Sequence, residues 1–202
     1  MKQTSRKTSG SRRYIQVFEI GIYLICSIAL VYFAIKGVYS KCFQAGLIIA
    51  VLLLLRGLLR WTKTTLSPSL HFSILLFITI TMLVANLFNM YGVIPYLDKI
   101  EHLLSGVILV YVGLLVLHKI IQRQGITDLP PRISIWFSLF FSIAMAACWE
   151  IYEFTVDHLF GLVSQNGSLT DTMWDIICGT IGAVCTVIYL NIKAKKNPQS
   201  IL

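Results

Sequence analysis

Charge is scarce in this chain. Only 13% of its 202 residues are Asp, Glu, Lys or Arg, against 56% hydrophobic. So thin a polar supply excludes an ordinary water-facing domain. Cysteine pairing is missing as well. The five cysteines, Cys26, Cys42, Cys148, Cys178 and Cys185, form no C-x-x-C pair, and four fall inside apolar runs where Cys packs as a small hydrophobe. Neither a disulfide framework nor a zinc-thiolate site is indicated. Nothing repeats at a solenoid period, and the only low-complexity stretch is the polar, basic head from Met1 to Arg13, read as a disordered arm. That head precedes an apolar run too long for a signal-peptide core and followed by no A-x-A-like cleavage site. Cys26 follows Ile25 rather than a small residue, which argues against a lipid-modified cysteine. The first apolar run is therefore expected to stay in the protein as a helix.

What the chain does contain is apolar length. A helix rising about 1.5 Å per residue needs about 20 apolar residues to cross a hydrocarbon core of about 30 Å. Six runs meet that length: about Tyr14 to Ile35, Phe43 to Leu59, Leu70 to Met90, Leu97 to Leu117, Ile133 to Asp157 and Thr170 to Ile192. The expected fold is all-α, a polytopic membrane protein of about six transmembrane helices. Its parts are a basic arm over residues 1–13, a transmembrane domain over 14–192 and a basic tail over 193–202.

The net charge of +8 is explained by location rather than by nucleic acid, because cytoplasmic loops accumulate Lys and Arg. With both termini on one side, all of the 17 basic residues except Lys36, Lys41 and Lys99 fall on that side. Both termini are expected to be cytoplasmic in a multi-pass cell-membrane protein. Arg56, inside the second run, is expected to snorkel toward Arg60 and the inner surface. Trp61, Tyr91, Tyr96 and Trp136 fall near span boundaries, where amphipathic rings settle.

The nine acids sort the opposite way. Asp98, Glu101, Glu150, Glu153, Asp157, Asp171 and Asp175 lie toward the outer side; Glu19 and Asp128 do not. Glu150, Glu153 and Asp157 follow i, i+3, i+7 spacing and share an arc of roughly 60° on the fifth helix. Asp171 and Asp175 stand one turn apart on the sixth, as do Asp98 and His102 on the fourth. Asp98 follows Pro95, and Asp171 follows Ser168 and Thr170, so each fits a helix cap as well as a site. Asp157 and His158 are expected to be wet. Glu101 is expected to be solvated or structural, flanking the stripe or paired with Lys99. Glu150, Glu153, Asp175 and His102 lie inside their helices, where a lone charge costs several kcal/mol and must be compensated. Compensation by polar glue between helices, through His102, Trp149, Tyr152 or Thr172, is one possibility; a functional site is the other. Gly106, Gly179 and Gly182 read as packing residues that admit close approach.

Carboxylates with one imidazole and no thiolate make a hard, oxygen-rich environment suited to Mg²⁺, Mn²⁺ or Ca²⁺, with Zn²⁺ admitted if His102 takes part. The candidate metal ligands are Asp98, His102, Glu150, Glu153, Asp171 and Asp175. Without a metal, such carboxylates would share protons as in a proton relay.

The pattern D-x-x-x-H at Asp98 to His102, E-x-x-E at Glu150 to Glu153 and D-T-x-x-D at Asp171 to Asp175 resembles the uncharacterised bacterial YjdF inner-membrane family. More distantly it is similar to VanZ-like proteins. The resemblance spans roughly residues 91 to 190, the first three helices matching only in hydropathy. It implies a multi-pass bacterial membrane protein and, for the VanZ-like relatives, a link to glycopeptide-antibiotic tolerance. The connection from Phe160 to Leu169 carries no acid.

The functional expectation is an outward-facing acidic site that binds a divalent cation and acts on, or senses, an envelope lipid or lipid-linked precursor. If it is an enzyme, Glu150, Glu153, Asp175 and His102 carry the acid–base or metal chemistry, since no activated Ser or Cys is evident. The alternatives are a proton- or cation-coupled transporter, which the lack of an inverted repeat disfavours, and a non-catalytic envelope protein whose polar cluster fixes helix packing.

Overall fold

The computed structural model describes residues 2–126, 129–160 and 168–196. Asp128, residues 161–167 of the Phe160–Leu169 connection and the tail beyond Lys196 lie outside them. Among the described residues every regular element is helical: α1 (Lys2–Ile35), α2 (Tyr39–Trp61), α3 (Pro68–Ile78), α4 (Leu97–Arg123), α5 (Pro131–Phe160) and α6 (Leu169–Lys196). Six stretches are long and apolar enough to cross a membrane: Arg12–Ile35, Tyr39–Trp61, Pro68–Leu87, Leu97–Arg123, Pro131–Leu159 and Leu169–Lys196. They match the six apolar runs. The basic head differs from expectation, because α1 continues back to Lys2. Once a long apolar helix is nucleated, adding residues to its end is cheap.

Local sequence explains the boundaries. Ser67 caps α3, its hydroxyl accepting from the Leu70 N–H at 3.3 Å, with Pro68 in the first turn. α1 and α4 end where Gly37 and Gly125 take left-handed φ values of 71° and 68°. At each, the following residue donates back across the final turn, Val38 to the Phe33 carbonyl and Ile126 to that of Ile121, as in a Schellman ending.

The fold divides into two compact units, residues 1–97 and 98–202. In the first, Ile22, Cys26, Ile48, Leu52 and Leu75 form the core. The third span is not α-helical throughout: Thr79–Leu87 is a π-helix, closed by Phe88 N–H donating to the Leu83 carbonyl. The hydroxyls of Thr79 and Thr81 bond back to the carbonyls of Leu75 and Phe77 at 2.8 and 3.0 Å, which competes with the α ladder and favours its widening. Lys41 closes that end by donating to the Asn86 carbonyl at 2.8 Å, a cation at a helix C-terminus.

Arg56 does not snorkel away unpaired. Its Nε lies 3.0 Å from Glu19 Oε1 and its Nη2 3.4 Å from Glu19 Oε2, a two-pronged pair across α1 and α2. Glu19 is buried while Arg56 is nearly half exposed, so the carboxylate depends on the pair more than the guanidinium does. Arg56→Met is expected to lower stability by about 2 kcal/mol, and the double variant Glu19→Gln/Arg56→Met by less, since only the single change strands a buried charge. Thermal unfolding in detergent reads the difference. Equal losses would show that Arg56→Met strands no costly charge on Glu19.

The second unit is a three-helix assembly of α4, α5 and α6. Its interior is built from small residues. Ser134, Ser138, Ser142, Ala146 and Glu150 recur every fourth position along α5 and are all buried, one continuous stripe. Ser142 Oγ donates to the Gly106 carbonyl on α4 at 3.0 Å. Gly179 faces Ala146, where an added Cβ would come within 3.3 Å of the alanine methyl. The opposite faces carry exposed Trp136, Phe140, Trp174 and Ile188, the apolar exterior expected against lipid.

Candidate functional site

The polar groups of the second unit gather at one end, where α4 begins, α5 nears its close and α6 begins. Basic residues mark the other end: Arg123 in the last turn of α4 and Lys193, Lys195 and Lys196 in that of α6. The local starts fit the sequence. Tyr96 adopts a left-handed φ of 59° immediately before α4, and Ser168 starts α6, its hydroxyl accepting from the Asp171 N–H at 3.3 Å. Ser168 thus serves as the cap, and the Asp171 carboxylate turns elsewhere.

It turns to Lys99. The ammonium lies 2.5 Å from Asp171 Oδ1, 2.6 Å from Asp175 Oδ1 and 3.1 Å from Asp98 Oδ2. One cation from α4 therefore links its own neighbour to both aspartates of α6. Asp175 is the deep member, its side chain 4% exposed against 20% for Asp171 and 38% for Asp98.

Beside this trio stands His102. Its Nε2 lies 3.6 Å from Asp98 Oδ1, 3.7 Å from Asp175 Oδ1 and 3.8 Å from Glu150 Oε1. Each of the three helices contributes one carboxylate around the imidazole. Asp98, His102 and Asp175 each bring a ligand atom within 4.8 Å of the others, close enough to share a metal ion. Five of the six candidate ligands, Asp98, His102, Glu150, Asp171 and Asp175, are thus gathered by ion pairs. Glu153, half-buried one turn further along α5, is held instead by Trp149, whose Nε1 donates to its Oε1 at 2.9 Å. Glu101 is buried, not solvated.

A groove of about 640 Å³ runs between α5 and α6, with Glu150, Asp157 and Thr172 among apolar walls of Ile151, Phe154 and Ile176. Asp157, half-buried, and His158, exposed, also line it, the imidazole stacking on Phe154 with ring centroids 5.9 Å apart.

The α4–α6 contact fixes how near these groups come. A Cβ at Gly182 would overlap the Leu103 carbonyl, and one at Gly106 would overlap the Gly179 carbonyl. The two backbones touch where only hydrogen side chains fit. Gly106 lies one turn from His102 and Gly179 one turn from Asp175, so the site sits beside this close backbone contact.

Residues 18–196 match the family described as "Predicted membrane protein (DUF2238)". The chain belongs to this family. It is the family to which the YjdF resemblance pointed, and the match takes in all six spans rather than the second half alone. No curated protein and no solved structure matches the chain. Family membership therefore supplies a membrane protein and leaves its chemistry to the residues.

Two features of the site escape a reading of the acids alone. Sequence position presents Lys99 as a loop charge or a partner for Glu101, although it follows Asp98 directly and its four-carbon stem can span to another helix. The buried stripe from Ser134 to Glu150 is visible as a four-residue period and marks Glu150 as inward-facing.

Proposed function

We propose that this protein binds a divalent cation at the acid-rich end of α4–α6 and uses it to act on, or sense, an envelope lipid or lipid-linked precursor. Asp98, His102 and Asp175, whose ligand atoms lie within 4.8 Å of one another, are its core ligands, Glu150 approaches His102 from α5, Asp171 holds Lys99, and Glu153 serves as an outlying base. The observation that carries the reading is the spacing around His102 Nε2: three carboxylate oxygens from three helices at 3.6, 3.7 and 3.8 Å. These distances exceed hydrogen-bond reach. They approach the roughly 3.4 Å that separates ligands of a tetrahedral ion with bonds of about 2.1 Å. Oxygen donors with one imidazole suit Mn²⁺, Mg²⁺ or Zn²⁺.

Such an ion polarises a phosphate oxygen or activates a water, which requires no Ser or Cys nucleophile. The groove between α5 and α6 supports a lipid-borne substrate, because it sets Glu150 and other polar groups beside apolar Ile151, Phe154, Leu169 and Ile176. The basic residues at the opposite end of the unit favour that end as cytoplasmic. The site then faces outward, with both termini in the cytoplasm of the cell.

Detergent-purified protein is expected to carry a divalent metal by elemental analysis. A cation at a hundred times its dissociation constant is expected to add about 2.7 kcal/mol of stability, a shift of several degrees in thermal unfolding. Glu150→Gln is expected to fold and lose most of that shift. No bound metal in the wild type, with no stabilisation by any divalent ion, would remove the cation and leave proton exchange or packing as the role of these acids.

A further inference from the structure

We infer that Lys99 is a tethered cation that competes with the divalent ion for Asp175, holding the site assembled when the ion is absent and withdrawing to the rim when it binds. This rests on the cation-binding reading above. The contested atom is Asp175 Oδ1. It lies 2.6 Å from Lys99 Nζ on one side and 3.7 Å from His102 Nε2 on the other. An ion bonded to that oxygen at the usual 2.0–2.2 Å stands no more than about 4.8 Å from the ammonium. A divalent and a monovalent cation at that separation, inside a poorly polarisable three-helix unit, repel strongly. Both do not hold the oxygen together.

Lys99 has somewhere to go. Asp98 divides its oxygens, Oδ2 toward Lys99 and Oδ1 toward His102, so it serves the ammonium and the ion at once. Asp171 Oδ1, also on Lys99, belongs to a more exposed carboxylate than Asp175. The three aspartates thus form a graded track from the buried Asp175 to the exposed Asp98. A flexible lysine stem can slide along it while keeping two of its three partners, which a rigid guanidinium fork could not do. The carbonyl of Asp171, 3.5 Å from Lys99 Nζ, offers the ammonium a further acceptor. Without an ion the ammonium spares Asp175 an uncompensated charge in its buried position. With one, the stronger charge takes that role.

The test is equilibrium Mn²⁺ binding to the full chain in detergent, read from the electron paramagnetic resonance of free Mn²⁺, for the wild type, Lys99→Ala and Lys99→Met. Both variants are expected to bind Mn²⁺ at least roughly tenfold more tightly than the wild type. In Lys99→Ala, added ethylammonium is expected to weaken Mn²⁺ binding competitively, back toward the wild-type value. Tetramethylammonium at the same concentration, which cannot donate a hydrogen bond, is expected to have little effect. Equal or weaker Mn²⁺ binding by both variants would overturn the inference and make Lys99 a positioning residue. Equal effects of the two ammonium ions would also overturn it, reducing Lys99 to a diffuse charge. If the wild type binds Mn²⁺ these outcomes bear on Lys99 alone. If none of the three chains binds it, the cation-binding reading itself fails.

Discussion

Gly182→Leu is expected to abolish recovery of folded protein, and Gly182→Ala alone to lower stability by about 2–4 kcal/mol. The reason is geometric. A Cβ at this position would overlap the Leu103 carbonyl, and a backbone oxygen in a helix cannot swing aside as a side-chain tip can. The helices must separate, and Gly106, whose own Cβ would meet the Gly179 carbonyl, loses its fit in the same movement. Gly106→Ala added to Gly182→Ala is therefore expected to cost less than the sum of the two, because one displacement relieves both overlaps. Gly21 and Gly57 supply the controls: a Cβ at either meets nothing within 4 Å, and alanine there is expected to be neutral or slightly stabilising in its helix. Thermal unfolding in detergent, with the yield of monodisperse protein, separates the two classes. A neutral Gly182→Ala would show that α4 and α6 do not pack backbone to backbone.

Asp175→Asn is expected to do the reverse: normal folded yield, with divalent-cation affinity lowered at least roughly a hundredfold. The amide keeps the shape of the carboxylate and can still accept from Lys99, but it no longer carries the charge that both Lys99 and His102 approach. Glu153→Gln is expected to change affinity only a few-fold, since its carboxylate is engaged by Trp149. Titration of each variant with Mn²⁺ measures both effects. If the cluster served packing alone, Asp175→Asn would lower folded yield, and no separate loss of ion binding would exist to be measured.

The contrast between these two predictions follows what a sequence of this kind can disclose. Membrane spans are legible because length and apolarity are themselves the physical requirement, and the six spans accordingly fall where the apolar runs do. The stripes of acids are legible because helical spacing places Asp98 with His102 and Asp171 with Asp175 before any tertiary contact is known. Partner choice is not. Nothing local directs Lys99 to two aspartates on α6, more than 70 positions away along the chain. Arg56 finding Glu19 on α1 is the same kind of event: sequence alone favours snorkelling toward Arg60, while a buried carboxylate on the adjacent helix is the partner it reaches.

The glycines are partly legible: Gly106, Gly179 and Gly182 read as packing residues that admit close approach, and Gly106 and Gly182 do meet a neighbouring backbone, whereas a Cβ at Gly21 or Gly57 meets nothing within 4 Å. The widened end of the third span is not legible, since threonines such as Thr79 and Thr81 also occur in ordinary α-helices. The four-residue period of α5 from Ser134 through Glu150 turns Glu150 toward the helices and not the lipid.

Pulsed electron paramagnetic resonance of the Mn²⁺-loaded full chain tests the proposed site most directly, because it reports the nitrogen bound to the ion. A single imidazole ¹⁴N coupling is expected in the wild type, and in His102→Gln that coupling is expected to vanish while the carboxylates still retain some Mn²⁺. A fully loaded wild type without any ¹⁴N coupling, or a coupling unchanged by His102→Gln, would contradict a cation centred on His102, Asp98, Glu150 and Asp175.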